Sequence, residues 1–300
     1  MPKQSVIESF ESHASARAKY RLPLQSARLA GELLYNVLVE ITVSGHLVGI
    51  DGHLIGGEVR MKVEIWSDFA CPFCYIGKRR FEAALSQFPH KEKVETIFRS
   101  FELDPHAKRD TNETIYDILA AKYGMPVEKA KGMTEQVAQQ AKEVGLEYHF
   151  DTMIPTNTAD AHRLAHYANA HGKMPEMIER LLKAYFTDSL HLGDHQVLAK
   201  LAAEIGLDQE QTLAMLAGDE YSEHVQADKQ KAAALGINAV PFFVFNDKYA
   251  VSGAQPGEVF FNVLNKVWEE ESAAPTLQFV QTDEKKDADG DNCADGSCKL

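Results

Sequence analysis

Alternation of apolar and polar positions starts abruptly at Met61, where MKVEIWSDF reads as a strand. It gives way at once to a helical period in CPFCYIGKRRFEAALSQF, whose Ile76, Phe81, Ala84, Leu85 and Phe88 share one face. KVETIFRSFEL restores the strand pattern through Val94, Thr96, Ile97, Phe98 and Phe101. From about Asn112 to Leu235 every strong pattern is helical. Asn112 is expected to cap TIYDILAAKYG, Gly124 to stop it, and Pro126 to sit in the first turn of the next helix. A further helix carries Ile178, Leu181, Leu182, Tyr185 and Phe186, and another carries Val197, Leu198, Leu201, Ala202 and Ile205 between Asp194 as cap and Gly206 as stop. The strand pattern returns only at VPFFVFNDKYAVSG, a hairpin around Asn246 and Asp247, and a last helix, GEVFFNVLNKVWEE, follows Pro256.

Strand-rich ends around a helical middle predict an α/β sheet domain made from residues 61–108 and 236–271, interrupted by an all-helical insertion at 109–235 that packs back on it. Residues 1–60 have weak periodicity and a Gly-rich end, and are expected to form a poorly structured extension. The competing expectation is a helix through Leu29, Leu33, Leu34, Val37 and Leu38 docked on the core. Met61 is expected to begin the working protein, because Gly56, Gly57 and Glu58 are encodable as a ribosome-binding sequence just upstream of it. Residues 272–300 are polar, acidic and aperiodic, and are expected to form a flexible tail carrying Cys293 and Cys298.

Composition narrows the partners. The 300 residues are 45% hydrophobic and 25% charged, as in ordinary globular chains. A net charge of -13 excludes an electrostatic grip on nucleic acid or anionic lipid, which needs clustered Lys and Arg. No apolar run is long enough for a membrane helix, and the first residues lack a secretory apolar segment, so a cytoplasmic location is expected. Four cysteines are too few for a disulfide scaffold, and in a reducing compartment they point to catalysis or metal.

Cys71 and Cys74 form CPFC at the junction of strand and helix. A helix start favours the thiolate of an exposed cysteine placed there, through unpaired N–H groups and the positive end of the dipole. Cys71 occupies that place, Cys74 lies one turn in, and Pro72 suits the first turn. The same spacing serves as half of a zinc site, and a noncatalytic zinc or partner-binding module is the reading from a different class. No second CxxC or nearby CxxxH completes that site, so no metal is assigned. Val240-Pro241 stands directly before the returning strand. In thioredoxin folds a cis proline at such a place lies against the CxxC and leaves the preceding backbone free to pair with an extended substrate.

WSDFACPFCYIG, PTNTADAHRLAHYA, GINAVPFFVF and SGAQP, in this order, resemble the DsbA-family oxidoreductases of the FrnE type over about residues 61–270. The resemblance implies a thioredoxin-like fold with a large helical insertion, Cys71 as nucleophile, Cys74 as resolving thiol and Pro241 as the cis residue. Pro72, Phe73, Val240 and Asn157 are the implied substrate-binding residues. Phe73 departs from the Pro-Trp of many relatives and from the Pro-His of strongly oxidising ones, which implies a milder oxidant or an isomerase. No cofactor is implied beyond the redox-active disulfide itself, with glutathione or another thiol as reductant and protein or small-molecule thiols and disulfides as partners. Relatives that act as glutathione-dependent isomerases or transferases show Ser where Cys71 stands. FrnE-type proteins also carry a C-terminal cysteine pair, so Cys293 and Cys298 are expected to exchange with Cys71.

Four other signals have ordinary explanations. Asn157 fits an N-cap for the helix through Ala161, Leu164 and Ala165. His162 and His166, spaced i, i+4, would share a helix face, but no Glu follows His162 to make a zinc-protease motif. His191 and His195 are a weaker pair of the same kind. Asp68 either relays protons to the buried thiol or caps the CxxC loop.

Overall fold

The computed structural model describes residues 60–272 and three short strands upstream of them. Those strands, β1 (Glu40–Ile41), β2 (Leu47–Val48) and β3 (Leu54–Ile55), pair antiparallel in chain order as a unit of their own. The expected helix at Leu29 to Leu38 and the cysteines at 293 and 298 lie outside the described residues.

The second unit is built on a four-stranded sheet ordered β5-β4-β6-β7. β4 (Met61–Ser67) runs parallel to β5 (Val94–Ser100), from Met61 opposite Val94 to Ser67 opposite Ser100. β6 (Phe242–Phe245) is antiparallel to β4, and β7 (Tyr249–Ser252) closes a hairpin with it. Asn246 and Asp247 both take left-handed φ values, 47° and 55°, as the two-residue turn requires.

Strand alternation sorts the side chains of β4 to two cores. Met61, Val63 and Ile65 pack with Phe81 of α1 (Pro72–Gln87), Phe243 and Phe245 of β6, and Phe260 and Leu264 of α9 (Gly257–Ser272). The rings of Phe243 and Phe260 meet edge to face at 4.6 Å. On the other face Trp66 and Val244 pack against Ala232 of α8 (Ser222–Ala234) and Ile237. Helices therefore cover both faces of a thioredoxin-like mixed sheet.

The insertion supplies α2 (Ile115–Tyr123), α3 (Val127–Glu143), α4 (Ala159–Ala170), α5 (Met174–Phe186), α6 (His195–Glu204), α7 (Gln209–Ala217) and α8. Two expected caps move. Thr114, not Asn112, caps α2: its hydroxyl accepts from the Asp117 N–H while the Asp117 carboxylate accepts from the Thr114 N–H. That reciprocal pair satisfies two helix-start donors, which Asn112 alone would not do. Pro126 precedes α3 as its cap rather than entering the first turn. Gly124 ends α2 at φ 62°, and Asp194 accepts from Gln196 N–H at the start of α6, as expected.

Two charged clusters fasten the insertion to the sheet domain. Asp228 of α8 accepts from the Ser100 N–H, Arg99 and His166, while its carbonyl accepts from the Trp66 indole. Glu64, with no exposed surface, pairs with Arg99 and Lys231. On the opposite side Glu179 of α5 accepts from Tyr75 at 2.5 Å and Lys78 at 2.6 Å, and pairs with Arg79 of α1.

Candidate active site

The chain leaves the central strand β4 at Ser67 and enters α1 at Pro72, so the end of that strand presents Asp68 to Cys71 as one tight connection. The Cys71 N–H donates to the Asp68 carbonyl at 3.1 Å, and the Cys74 N–H donates to the Cys71 carbonyl at 3.0 Å. Cys71 is the N-cap residue of α1 and Pro72 opens the helix, where a missing N–H costs nothing. The Cys71 thiol accepts no capping bond from the helix. It donates instead to the carbonyl of Val240 at 3.6 Å.

That contact brings the two distant motifs together. The Val240-Pro241 peptide is cis, and the Pro241 carbonyl accepts from Gly253 N–H at 2.8 Å, which ties the loop to the end of the hairpin. Among the described residues the N–H of Val240 makes no backbone hydrogen bond. Cys71 is 4% exposed, not the exposed cysteine expected, because the Val240 segment covers it from one side. Its open side faces a cleft of about 550 Å³ that Cys71, Pro72 and Phe73 line and Cys74 does not. Cys74 is 2% exposed and accepts from the Asp68 N–H at 3.5 Å. Burial first, and the neighbouring Cys71 second, push the Cys74 thiol well above its ordinary range.

Asp68 holds the connection from inside. One carboxylate oxygen accepts from Ala70 N–H at 3.2 Å, Thr158 Oγ1 at 2.8 Å and His162 at 3.4 Å; the other accepts from Leu103 N–H at 2.7 Å. Burial works to raise this carboxyl, but the bond and charge of His162, with Leu103 and Thr158, hold it below its ordinary value. The carboxylate thus caps the loop, and it is the Asp68 backbone N–H, not the carboxylate, that reaches the Cys74 sulfur. His162 and His166 are divided between two carboxylates, Asp68 and Asp228, and His191 and His195 bond to the Arg109 carbonyl and to Asp160. Among the described residues, no group of three or more His, Cys, Asp or Glu gathers closely enough to hold a metal.

Asn157 stands outside the cleft lining. Its amide donates to the carbonyls of Pro105 and Ala107, and its oxygen accepts from Ala159 N–H one residue ahead of the Thr158 cap position. Thr158 makes no capping bond, because its hydroxyl is committed to Asp68. Three contributors escape the sequence analysis. Tyr148 donates to the Pro72 carbonyl at 2.8 Å from within the insertion, stacked on Phe186. Gly77 lets α1 approach Pro241. Helices α2 and α3 wall the cleft with Ile118, Leu119, Met133 and Val137. Only the CYIG run around Gly77 offered a clue, since a glycine inside a helix marks close approach.

Comparison with known proteins places this arrangement. The family model described as DSBA-like thioredoxin domain matches residues 62–265. The chain is 30% identical over 205 residues to the uncharacterised protein YwbO of Bacillus subtilis, covering 68% of this chain and 95% of that one. A probable DsbA oxidoreductase of Streptomyces coelicolor is 42% identical, with a TM-score of 0.69, over 74% of this chain and 94% of that one. The cytosolic disulfide reductase DsbM of Pseudomonas aeruginosa, solved with glutathione, shares the fold at 16% identity and a TM-score of 0.50, over 68% and 98%. The matched region contains all of the four-stranded sheet but Met61, the CPFC connection and the cis proline, and the chain belongs to the DSBA-like thioredoxin domain family.

Proposed function

We propose that this protein is a thiol-disulfide oxidoreductase or isomerase in which Cys71 attacks and Cys74 resolves. One asymmetry carries this reading: Cys71 lies on the open cleft, while Cys74 sits behind it with its thiol pushed up. A thiolate is the attacking species, so the sulfur that meets substrate must be the reachable one. Cys71 displaces one half of a substrate disulfide as a free thiol and becomes linked to the other half. Cys74 then attacks Cys71, its proton passing to the departing second thiol. The protein ends with a Cys71–Cys74 disulfide and the substrate as two thiols. The N–H of Val240, which makes no backbone hydrogen bond among the described residues, supports pairing with an extended substrate, and Phe73, 38% exposed, supports contact with it.

Within the family we assign the chain to the FrnE type, acting in the cytoplasm with glutathione as reductant; the glutathione held by the DsbM relative supports that choice. Cys293 and Cys298 are assigned as a second couple that exchanges with Cys71. Insulin-reduction assays test the scheme. Cys71→Ser is expected to abolish turnover, and Cys74→Ser to stop it after one step with a mixed disulfide trapped on Cys71. Full turnover by Cys74→Ser would instead select the glutathione-dependent isomerase class, which needs no resolving thiol. Peptide mass mapping of the trapped species should find Cys293 or Cys298; glutathione alone would leave the tail without a redox role.

A further inference from the structure

The cleft beside Cys71 is more than an approach to the sulfur. Phe73, Leu103, Tyr123 and Met133 ring it, and these are four of the seven large apolar side chains left exposed among the described residues. Such side chains are unremarkable when scattered, but gathered around one concavity they mark a binding surface. Its inner wall carries Phe150, Met153, Tyr185 and Phe186, all buried, beside the buried polar groups of Asp68, Thr156 and Thr158.

Helix α2 gives a second, independent sign. None of its nine residues is buried, although Ile115, Ile118 and Leu119 form an apolar face. Ile118 and Leu119 line the cleft, and Ile115 lines it while also touching the main core. At about 550 Å³ the space falls in the range of sites that enclose a small organic molecule and is larger than one side chain needs. The backbone groups that would pair with an extended polypeptide lie elsewhere, at Val240, on the other side of the Cys71 sulfur.

We propose that this cleft is a binding site for the apolar group of a small-molecule disulfide, an aliphatic or aromatic thiol in mixed-disulfide linkage, held with its sulfur at Cys71. The inference rests on the dithiol chemistry proposed above and names its substrate class. Reduced Cys71 attacks the sulfur that bears the apolar group, and the polar partner thiol leaves with a proton. Cys74 then closes the Cys71–Cys74 disulfide and releases the apolar thiol. Two electrons pass from the protein dithiol to the substrate, so a single turnover needs no further reductant.

The test is a homologous series, the mixed disulfides of 2-mercaptoethanol with ethyl to octyl thiols, reacted in single turnover with the reduced full-length protein. Formation of the Cys71–Cys74 disulfide is followed by peptide mass mapping, which keeps Cys293 and Cys298 out of the readout. Each added methylene buried in the cleft should raise the apparent second-order rate constant by about fourfold, until the cleft is filled. Met133→Glu, at the mouth and 37% exposed, should flatten that slope without unfolding the chain. A flat series with measurable rates, or an undiminished slope in Met133→Glu, would overturn the proposed site while leaving dithiol exchange intact. Rapid reaction with protein disulfides alone would assign the cleft to a polypeptide side chain and also overturn it. No reaction with any disulfide would overturn the dithiol reading itself.

Discussion

A Cβ placed on Gly77 would stand 3.0 Å from Cγ of Pro241 and 3.4 Å from the Ala254 backbone. Helix α1, which begins at the redox pair, therefore rests directly on the loop that carries Val240, close enough that an added Cβ would crowd the proline ring. The contact couples two segments far apart in sequence at the point where Cys71 and Val240 meet.

Gly77→Ala is a matter of two opposed effects. Alanine favours the helix by ~1 kcal/mol, whereas overpacking against a proline ring and a backbone atom costs ~1–3 kcal/mol. The net expectation is a loss of ~1 kcal/mol in urea unfolding and slower insulin reduction, since Pro241 is displaced. Gly132→Ala in α3 is the control, because nothing lies within 4 Å of its new Cβ. It should stabilise the protein. Equal effects at the two positions would show that the Pro241 contact is slack.

Tyr148→Phe removes the hydroxyl that donates to the Pro72 carbonyl while keeping the ring stacked on Phe186. A single neutral hydrogen bond contributes ~0.5–1.5 kcal/mol, so the fold should survive with a small loss in unfolding free energy. The redox connection loses its tie to the insertion, and the reduction potential of Cys71/Cys74 against glutathione should move. An unchanged potential together with unchanged stability would remove Tyr148 from the list of residues that position the pair.

Acid should unfold the protein through Glu64. Burial works to raise this carboxyl, but hydrogen bonds and charge from Lys231 and Arg99 bring it down to about 2. Its folded value lies below the unfolded one, so its contribution is fully present above about pH 4.5 and is lost as the pH falls through 2. The contribution is ~2–3 kcal/mol once the partial solvation of Lys231 and Arg99 is allowed for. Glu179, also brought down to about 2, adds to the same slope. Urea unfolding at pH 5 and pH 2.5 should show the drop in the parent, and Glu64→Gln, though less stable at pH 5, should show a clearly smaller one.

Local signals in the sequence were enough for most elements. Period two at Met61 to Ser67, the helical period that follows Cys71 and the left-handed turn at Asn246 and Asp247 depend on neighbours within a few residues, and each forms where the pattern places it. The caps at Asp194 and Gly124 were legible for the same reason. Asn112 misled because a capping box needs two reciprocal bonds, and the Thr114 and Asp117 spacing supplied them. CPFC and Val240-Pro241 were recognisable as separate motifs, but nothing local says that the Cys71 thiol reaches the Val240 carbonyl, that Thr158 gives up its cap for Asp68, or that Tyr148 reaches Pro72. The burial of Cys71 and the apolar cleft beside it are equally nonlocal. Cys71 is buried where the Val240 loop folds back on it and the cleft forms where the insertion meets the sheet domain, and the packing of distant surfaces leaves no period in the chain that forms them.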